Sequence, residues 1–473
     1  MRYNIISYIL NFFSYAVLII SLNSILVVGQ EITDRKIESA NDGQQSTLYN
    51  EIRLSEFWSM VKIDSTSSAP KKFLNAKDSS VDPIEIQVGT RTIKTNKFTN
   101  KGTAVVPMWD APMARKPLRG GAGFQVLLEA EHDTVWQPTV REDGAYNHYA
   151  ALIHFKGQFY AMWGNHELGE DAPGQRVLFA RADAWNNWTD AEELFPAPGP
   201  VQPRSERGIH LKADRWAVID DKLYAITYVH GAGVYPIARS VSEDGVLGEP
   251  FLVRGLPRNG SLPEYMQDNG NSTPPELGGR LSEWYHDNNQ ISWWAGANWG
   301  VQRRAVDEAS LIESFIYPAK DGRLVLMLRD WGTPMNAVHS NRMYVSFNDG
   351  EGGWGTPYPT DIPDSPSRAE ALTLEDGTVL LIGSQNVPHF DEALYLDRDP
   401  ITVSISEDGY TFDRIYALRT DSPTGFRISG VGGRNPGYGY PSSIVHEGWL
   451  YTLYSIGKED MGITRVPLSV LEK

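Results

Sequence analysis

The chain has 473 residues, with 43 Lys plus Arg against 59 Asp plus Glu and a formal net charge of −16 with His neutral. So acidic a balance argues against electrostatic capture of nucleic acid, and the absence of cysteine removes disulfides, thiolate metal sites, a cysteine nucleophile and cysteine lipidation. An apolar fraction of 41%, with 14 Trp, 22 Tyr and 16 Phe and only 22% charged residues, supports a large folded core rather than wholesale disorder.

In chain order, the first element is an export signal. Arg2 precedes a mostly apolar run from Ile5 to Val28, which ends at Val27-Val28-Gly29 and gives way to the polar Gln30-Glu31-Ile32-Thr33-Asp34. A basic start, an apolar stretch and small residues at the exit predict a signal peptide over residues 1–29, cut after Gly29. An uncleaved anchor is the competing reading, weakened by Asn11, Ser14, Ser21, Asn23 and Ser24 within the run. After cleavage no stable membrane insertion is expected. Export without cysteine points to a secreted or periplasmic protein of a bacterial envelope. Residues 30–84 read as a polar lead-in, and 85–473 as one large domain.

That domain is built from repeats. Five segments share one plan, two apolar strands around a tight polar or glycine turn: His154–Trp163, Val218–Tyr228, Ala319–Leu328, Leu374–Gly383 and Val445–Tyr454. Alternating apolar and aromatic residues about an Asp-Gly-type turn signal a β-hairpin. A second type of turn follows at Ser242-Glu-Asp-Gly245, at Ser346-Phe-Asn-Asp-Gly350 with Trp354, and at Ser406-Glu-Asp-Gly-Tyr-Thr-Phe412. These resemble degenerate Asp-boxes of sialidase-like propellers, whose role is structural. No long amphipathic helix competes, so the fold class is all-β, a β-propeller of four-stranded blades. Five blades are visible, and residues 85–140 and the wide gap around 255–300 have room for two more.

Hairpin geometry then sorts the residues. Each tight turn lies at one face of the disc, so the start of the first strand and the end of the second lie at the other, where long loops build sites. The first unit brings Tyr146, Asn147 and His148 together with Trp163, Asn165 and His166; the second brings His210, Lys212, Arg215 and Trp216 with Tyr228, His230 and Tyr235. The third contributes Glu308, Glu313, Arg329, Asp330 and Trp331, the fourth Arg368, Glu370, Gln385 and Asn386, the fifth Arg434, Asn435, Tyr438 and Tyr440. Cations and amides of this kind hold a carboxylate or sulfate, and Trp and Tyr pack on pyranose faces, so the expected partner is an acidic oligo- or polysaccharide. Trp163, Asn165, His210, His230, Arg329, Arg368 and Tyr438 are candidates to bind it. The sharpest signal is the pair His148 and His166, which the hairpin geometry brings to one rim. Trp163, Trp216 and Trp331 also read as packing between blades, and Arg329-Asp330 and Arg368-x-Glu370 as ordinary ion pairs.

A histidine pair with Tyr and Arg can abstract the C5 proton beside a uronate carboxylate and expel the oxygen at C4. Tyr146-Asn-His-Tyr149, Phe155-Lys-Gly-Gln-Phe-Tyr-Ala-Met-Trp-Gly-Asn-His166 and Glu170-Asp-Ala-Pro-Gly-Gln-Arg-Val177, continued by Arg215-Trp-Ala-Val-Ile-Asp220 and Tyr235-Pro-Ile-Ala-Arg239, resemble seven-bladed polysaccharide lyases of the ulvan lyase and L-rhamnose-α-1,4-D-glucuronate lyase type. The related exo-α-L-rhamnosidases share that scaffold. The resemblance implies seven blades, elimination by His148 and His166, and a Tyr and an Arg in the next blade, either Tyr228 with Arg215 or Tyr224 with Arg239, Arg239 otherwise binding substrate. The expected activity is a lyase acting on an acidic, rhamnose-containing glycan, or dehydrating a terminal uronate. The alternatives are an exo-glycoside hydrolase of rhamnosidase or sialidase-like type, its carboxylates drawn from Glu308, Glu313, Asp330 and Glu370, and a non-catalytic glycan-binding propeller. No cofactor is required; the acidic loops would accommodate a structural Ca²⁺, without an EF-hand pattern to select its ligands.

Overall fold

The structure, a computed structural model, describes residues 82–113, 124–231, 233–253, 304–331, 340–350, 354–365, 367–386 and 398–471, with short pieces between 256 and 281. All of them belong to the unit Asn75–Lys473. The signal segment and nearly all of the lead-in lie outside the described residues. Two short strands open the unit as a hairpin, β1 (Ile84–Val88) and β2 (Arg91–Thr95), followed by β3 (Gln125–Val126) and β4 (Glu131–Trp136). Five sheets follow. The first blade holds β5 (Tyr146–Phe155), β6 (Gln158–His166), β7 (Arg176–Ala182) and β8 (Glu192–Phe195). The second holds β9 (His210–Ile219), β10 (Lys222–His230), β11 (Tyr235–Val241) and β12 (Phe251–Leu252). The third holds β13 (Leu311–Pro318), β14 (Leu324–Asp330), β15 (Arg342–Asn348) and β16 (Tyr358–Pro363). The fourth holds β17 (Glu370–Thr373), β18 (Val379–Gly383), β19 (Ile401–Ser406) and β20 (Arg414–Arg419). The fifth has β21 (Tyr438–His446), β22 (Trp449–Ile456) and β23 (Asp460–Pro467), and a single helical turn, α1 (Leu468–Leu471), follows it.

The five hairpins read from the sequence are the first two strands of these five blades. Expectation and structure part on blade number: the described residues form five blades, not seven. The described residues of 85–140 make no blade of their own. Instead β4 pairs antiparallel with β23, Trp136 against Met461 and Glu131 against Arg465, and becomes the outer strand of the fifth blade. The strand before the first blade thus covers an edge that the last blade would otherwise expose. β3 runs parallel to β20 and widens the fourth blade to five strands. The β1–β2 hairpin rests on the third blade, where Thr90 N–H donates to Phe347 O (3.0 Å). Its turn needs Gly89: φ is +56°, and a Cβ there would lie 1.9 Å from Phe347 O. The wide gap expected to hold a further blade lies mostly outside the described residues.

Blades stack face against face, so their middle strands are covered on both sides. That explains why β6, β14, β18 and β22 read as nearly continuous buried runs, whereas the outer β4 and β8 keep exposed positions. The core accordingly lies between blades: Tyr160, Phe179, Trp216 and Tyr224 between the first and second, Met327, Phe347, Leu381 and Phe412 between the third and fourth, Leu380, Val403 and Leu450 between the fourth and fifth, Trp163, Leu178 and Leu453 between the fifth and first. The turns at Ser242–Gly245, Ser346–Gly350 and Ser406–Phe412 join third to fourth strands. In the clearest, Asp408 Oδ1 accepts from Ser406 Oγ (3.0 Å), Tyr410 N–H (2.7 Å) and Thr411 N–H (2.9 Å), and Phe412 is buried behind it. Among the described residues no helix is long and apolar enough to cross a membrane.

Candidate functional site

The first strands of the blades are the inner ones: β21 packs on β5, β5 on β9, β13 on β17 and β17 on β21. Four of them are interrupted by a bulge, where the register shifts between His148 and Ala151, Ala213 and Arg215, Ile312 and Phe315, and Gly439 and Ser442. Three of these bulges hold a non-glycine residue in left-handed backbone: Tyr149 (φ +62°), Glu313 (+54°) and Tyr440 (+56°). Such a conformation costs on the order of 1–3 kcal/mol and persists only where the surroundings over-determine it; bulges of this kind re-aim a side chain. Here they converge. The Tyr149 and Tyr440 rings lie 5.5 Å apart, and the Tyr440 hydroxyl donates to Glu313 Oε1.

Arg329, at the end of β14, completes the centre. Its Nη1 lies 2.5 Å from Glu313 Oε2 and 3.2 Å from the Tyr440 hydroxyl, and Arg398 stands 6.0 Å from the Tyr440 ring. Burial alone would raise the Glu313 carboxyl, but the Arg329 charge, the hydrogen bonds from Tyr440 and Arg329 and the Arg398 charge hold it below the usual carboxylate range. Burial and the Glu313 charge push the Tyr440 phenol well above its ordinary value. At neutral pH the centre is therefore a neutral phenol donating to an ionised carboxylate that an arginine clamps. Nearby, Asp364 is buried, and burial raises it well above the usual range despite Arg329 and Arg398.

A second layer surrounds this centre. Lys458 Nζ donates to Glu170 (2.7 Å) and to Gly433 O (3.2 Å); burial, against the pull of Glu170, brings it down to about 8. Lys212 pairs with Asp171 (2.8 Å), which also accepts from the Tyr149 hydroxyl (2.8 Å). Burial opposes ionisation of Asp171, but the Lys212 charge and hydrogen bond dominate and hold it at about 2. Asp171 too is left-handed, with φ +53°. His148 packs its ring 3.9 Å from that of Tyr440.

The residues singled out from sequence separate into three groups. Arg329 and His148 stand at the centre, and His210 beside it, 3.9 Å from Asp171 and stacked 5.4 Å from His230. Burial lowers His210 to about 4 and pushes His230 well below the imidazole range, so both are neutral. Arg215 and Arg368 belong to a separate cluster on the inner strands: Arg368 donates to Ala150 O (3.4 Å) and lies 4.0 Å from Glu370, and Arg215 lies 3.4 Å from Asp214. The remaining six are engaged in the framework. His166 Nε2 bonds Pro173 O (3.0 Å), and its Nδ1 accepts from Leu168 and Gly169 N–H (3.0 and 3.1 Å). Both of its nitrogens are used by backbone, so His166 has no nitrogen left to share a substrate with His148. Trp163 and Asn165 bond Asn147 (3.0 and 2.8 Å), Arg239 bonds Gly248 O and Leu194 O (2.7 and 2.8 Å), Tyr438 bonds Thr420 O (2.7 Å), and Tyr228 is buried in the core between the first two blades. Trp331, read as packing, is 51% exposed.

Glu313 and Tyr440 were on the mouth side of the hairpin sorting, but no spacing selected them. Glu170 and Asp171 lie within the Glu170–Val177 motif but were given no role in the site, and Arg398, Asp364 and Lys458 carried no signal; all five lie on loops after second or fourth strands. No cluster of three or more His, Asp or Glu that could hold a metal ion occurs among the described residues, which leaves the calcium expectation without a site there.

The fold and this centre define a propeller with a phenol–carboxylate–arginine site on its inner strands. The BNR repeat-like domain model matches residues 205–452, just over half of the chain, and the chain belongs to that family. A solved sialidase is similar over 77% of this chain with a TM-score of 0.56 and 18% identity, and the match spans 35% of that protein's length; it shows the shared fold. Trypanosoma rangeli sialidase (TM-score 0.38, 12% identity, 72% of this chain and 58% of that one) and the α-L-arabinofuranosidase PaAbf62A from Podospora anserina (0.35, 10%, 72% and 98%) are more remote and carry no weight. No curated protein matches the sequence.

Proposed function

We propose that the protein is an exported glycoside hydrolase that releases a carboxylate-bearing sugar from an acidic glycan, with Tyr440 as nucleophile and Glu313 as its base. The observation that carries this reading is the Tyr440 hydroxyl donating to a Glu313 carboxylate that is itself clamped by Arg329. A carboxylate nucleophile would repel a sugar whose own carboxylate sits beside the anomeric carbon. A neutral phenol does not, and sialidases are known to use tyrosine in place of the usual carboxylate nucleophile. As the Tyr440 oxygen bonds to the anomeric carbon, its proton passes to Glu313 and the glycosidic bond breaks, the departing oxygen taking up a proton from solvent. Water then attacks the same carbon and releases a proton to solvent, the bond to Tyr440 breaks, and the phenolate takes back the proton held by Glu313. Arg329 and Arg398 are suited to hold the substrate carboxylate through charge-assisted hydrogen bonds.

The elimination reading keeps the acidic substrate but depends on a second histidine, which the backbone bonds of His166 withdraw. Product chemistry separates the two. Aryl and oligosaccharide glycosides of sialic and uronic acids should yield saturated sugars that have gained one water, and Tyr440→Phe should abolish this. Ultraviolet absorbance from a C4=C5 unsaturated uronate, or full hydrolysis by Tyr440→Phe, would overturn the proposal.

A further inference from the structure

His148 is fully buried, and its ring lies 3.9 Å from that of Tyr440. Its Nδ1 is 2.7 Å from Ser455 Oγ, and the Ser455 hydroxyl in turn donates to Gly439 O at 3.1 Å. A serine hydroxyl has one hydrogen. With that hydrogen given to Gly439, Ser455 receives from His148, and the proton of the neutral imidazole is fixed on Nδ1. Nε2 is then a bare lone pair, buried and without a hydrogen-bond partner among the described residues. Protonation cannot relieve it: burial, and after it the charges of Lys458, Arg398, Lys212 and Arg329, hold the imidazole well below its ordinary range. A buried acceptor left unpaired by the described residues beside a reactive centre is suited to a donor brought by a ligand.

We propose that Nε2 of His148 accepts a hydrogen bond from a hydroxyl or amide N–H of the sugar bound at Tyr440, so that His148 selects substrates by a donor group rather than by charge. The acidic carboxylate goes to the arginines, and His148 reads a different position on the same ring. This inference rests on the hydrolase reading for its ligand but not for its tautomer. It also gives His148 a different part from the proton abstraction expected of it in an elimination.

Nitrogen-15 NMR of histidine-labelled full-length protein tests it. In the free protein at neutral pH, His148 should show a protonated Nδ1 and an unprotonated Nε2. Titration with N-acetylneuraminic acid or glucuronic acid should move the Nε2 resonance in the hydrogen-bonded direction, whereas analogues lacking the donor hydroxyl should bind without moving it. In turnover, His148→Phe should lower kcat/KM for the parent glycoside about tenfold more than for the deoxy analogue, and His148→Gln, which restores an acceptor, should recover part of that preference. A proton found on Nε2, or N-acetylneuraminic or glucuronic acid that binds and leaves Nε2 unchanged, overturns the inference. Failure of every acidic sugar to bind would instead sink the hydrolase reading, and with it the ligand proposed for His148.

Discussion

Tyr440 and Glu313 face each other because two inner strands each bend into left-handed backbone at one residue, and neither residue is a glycine. Removing the phenol oxygen therefore tests chemistry with little change of shape. Tyr440→Phe keeps the ring against His148, and we expect kcat to fall by about a thousandfold or more with the melting transition still cooperative, as single-turnover kinetics and calorimetry would register. His166→Ala should behave in the opposite sense. It deletes three bonds to backbone at a buried position, so stability should drop by about 2–4 kcal/mol in denaturant titrations while the folded fraction retains its kcat. A kcat collapse in a fully folded His166→Ala would return this histidine to the chemistry.

At the level of the element, the Asp-Gly turns and the closing strand are where sequence and stability connect. Asp408 satisfies two backbone N–H groups and a serine hydroxyl within one tight turn, so Asp408→Ala should cost about 2 kcal/mol of unfolding free energy and leave substrate affinity unaltered. β4 has a larger role than its mixed sequence suggests, because its backbone bonds cover the edge of β23. A chain beginning at Gln137 should expose that edge, and light scattering and thermal melts should record association and a lowered, broadened transition. Unchanged monomeric behaviour would show that the fifth blade does not need its borrowed strand.

For the molecule as a whole, Glu370 on the inner strand β17 is a buried group whose state depends on pH near neutrality. Glu370 begins β17 close to Arg368, and burial, which outweighs the Arg368 charge and hydrogen bonds from Ser443, raises it from 4.5 to about 7. The folded chain thus holds a proton that the unfolded chain has released between those values. The stability linked to this proton is complete below about pH 4.5 and is lost as pH rises through about 7. Glu370→Gln should flatten that slope, the variant gaining about 1–3 kcal/mol on the wild type between pH 4.5 and pH 8 in parallel denaturant titrations. Parallel slopes in the two proteins would show that other groups set the pH dependence.

Composition, turn chemistry and strand periodicity determined that this chain is all-β, that it is built of four-stranded blades, and which ends of five hairpins face the same rim. Those properties are local: a hairpin turn needs its glycine or aspartate within a few residues, and a strand covered on both faces must be apolar along its length. Blade number was not local, since it depended on β4 leaving its neighbours to pair with β23 at the far end of the chain. The site followed the same rule. His148 and His166 lie on paired strands and look like partners in sequence, yet backbone groups take both nitrogens of one of them. Glu313 and Tyr440, more than a hundred residues apart, meet only because bulges in two separate blades turn their side chains toward a common centre, and no spacing along a chain records the distance between blades.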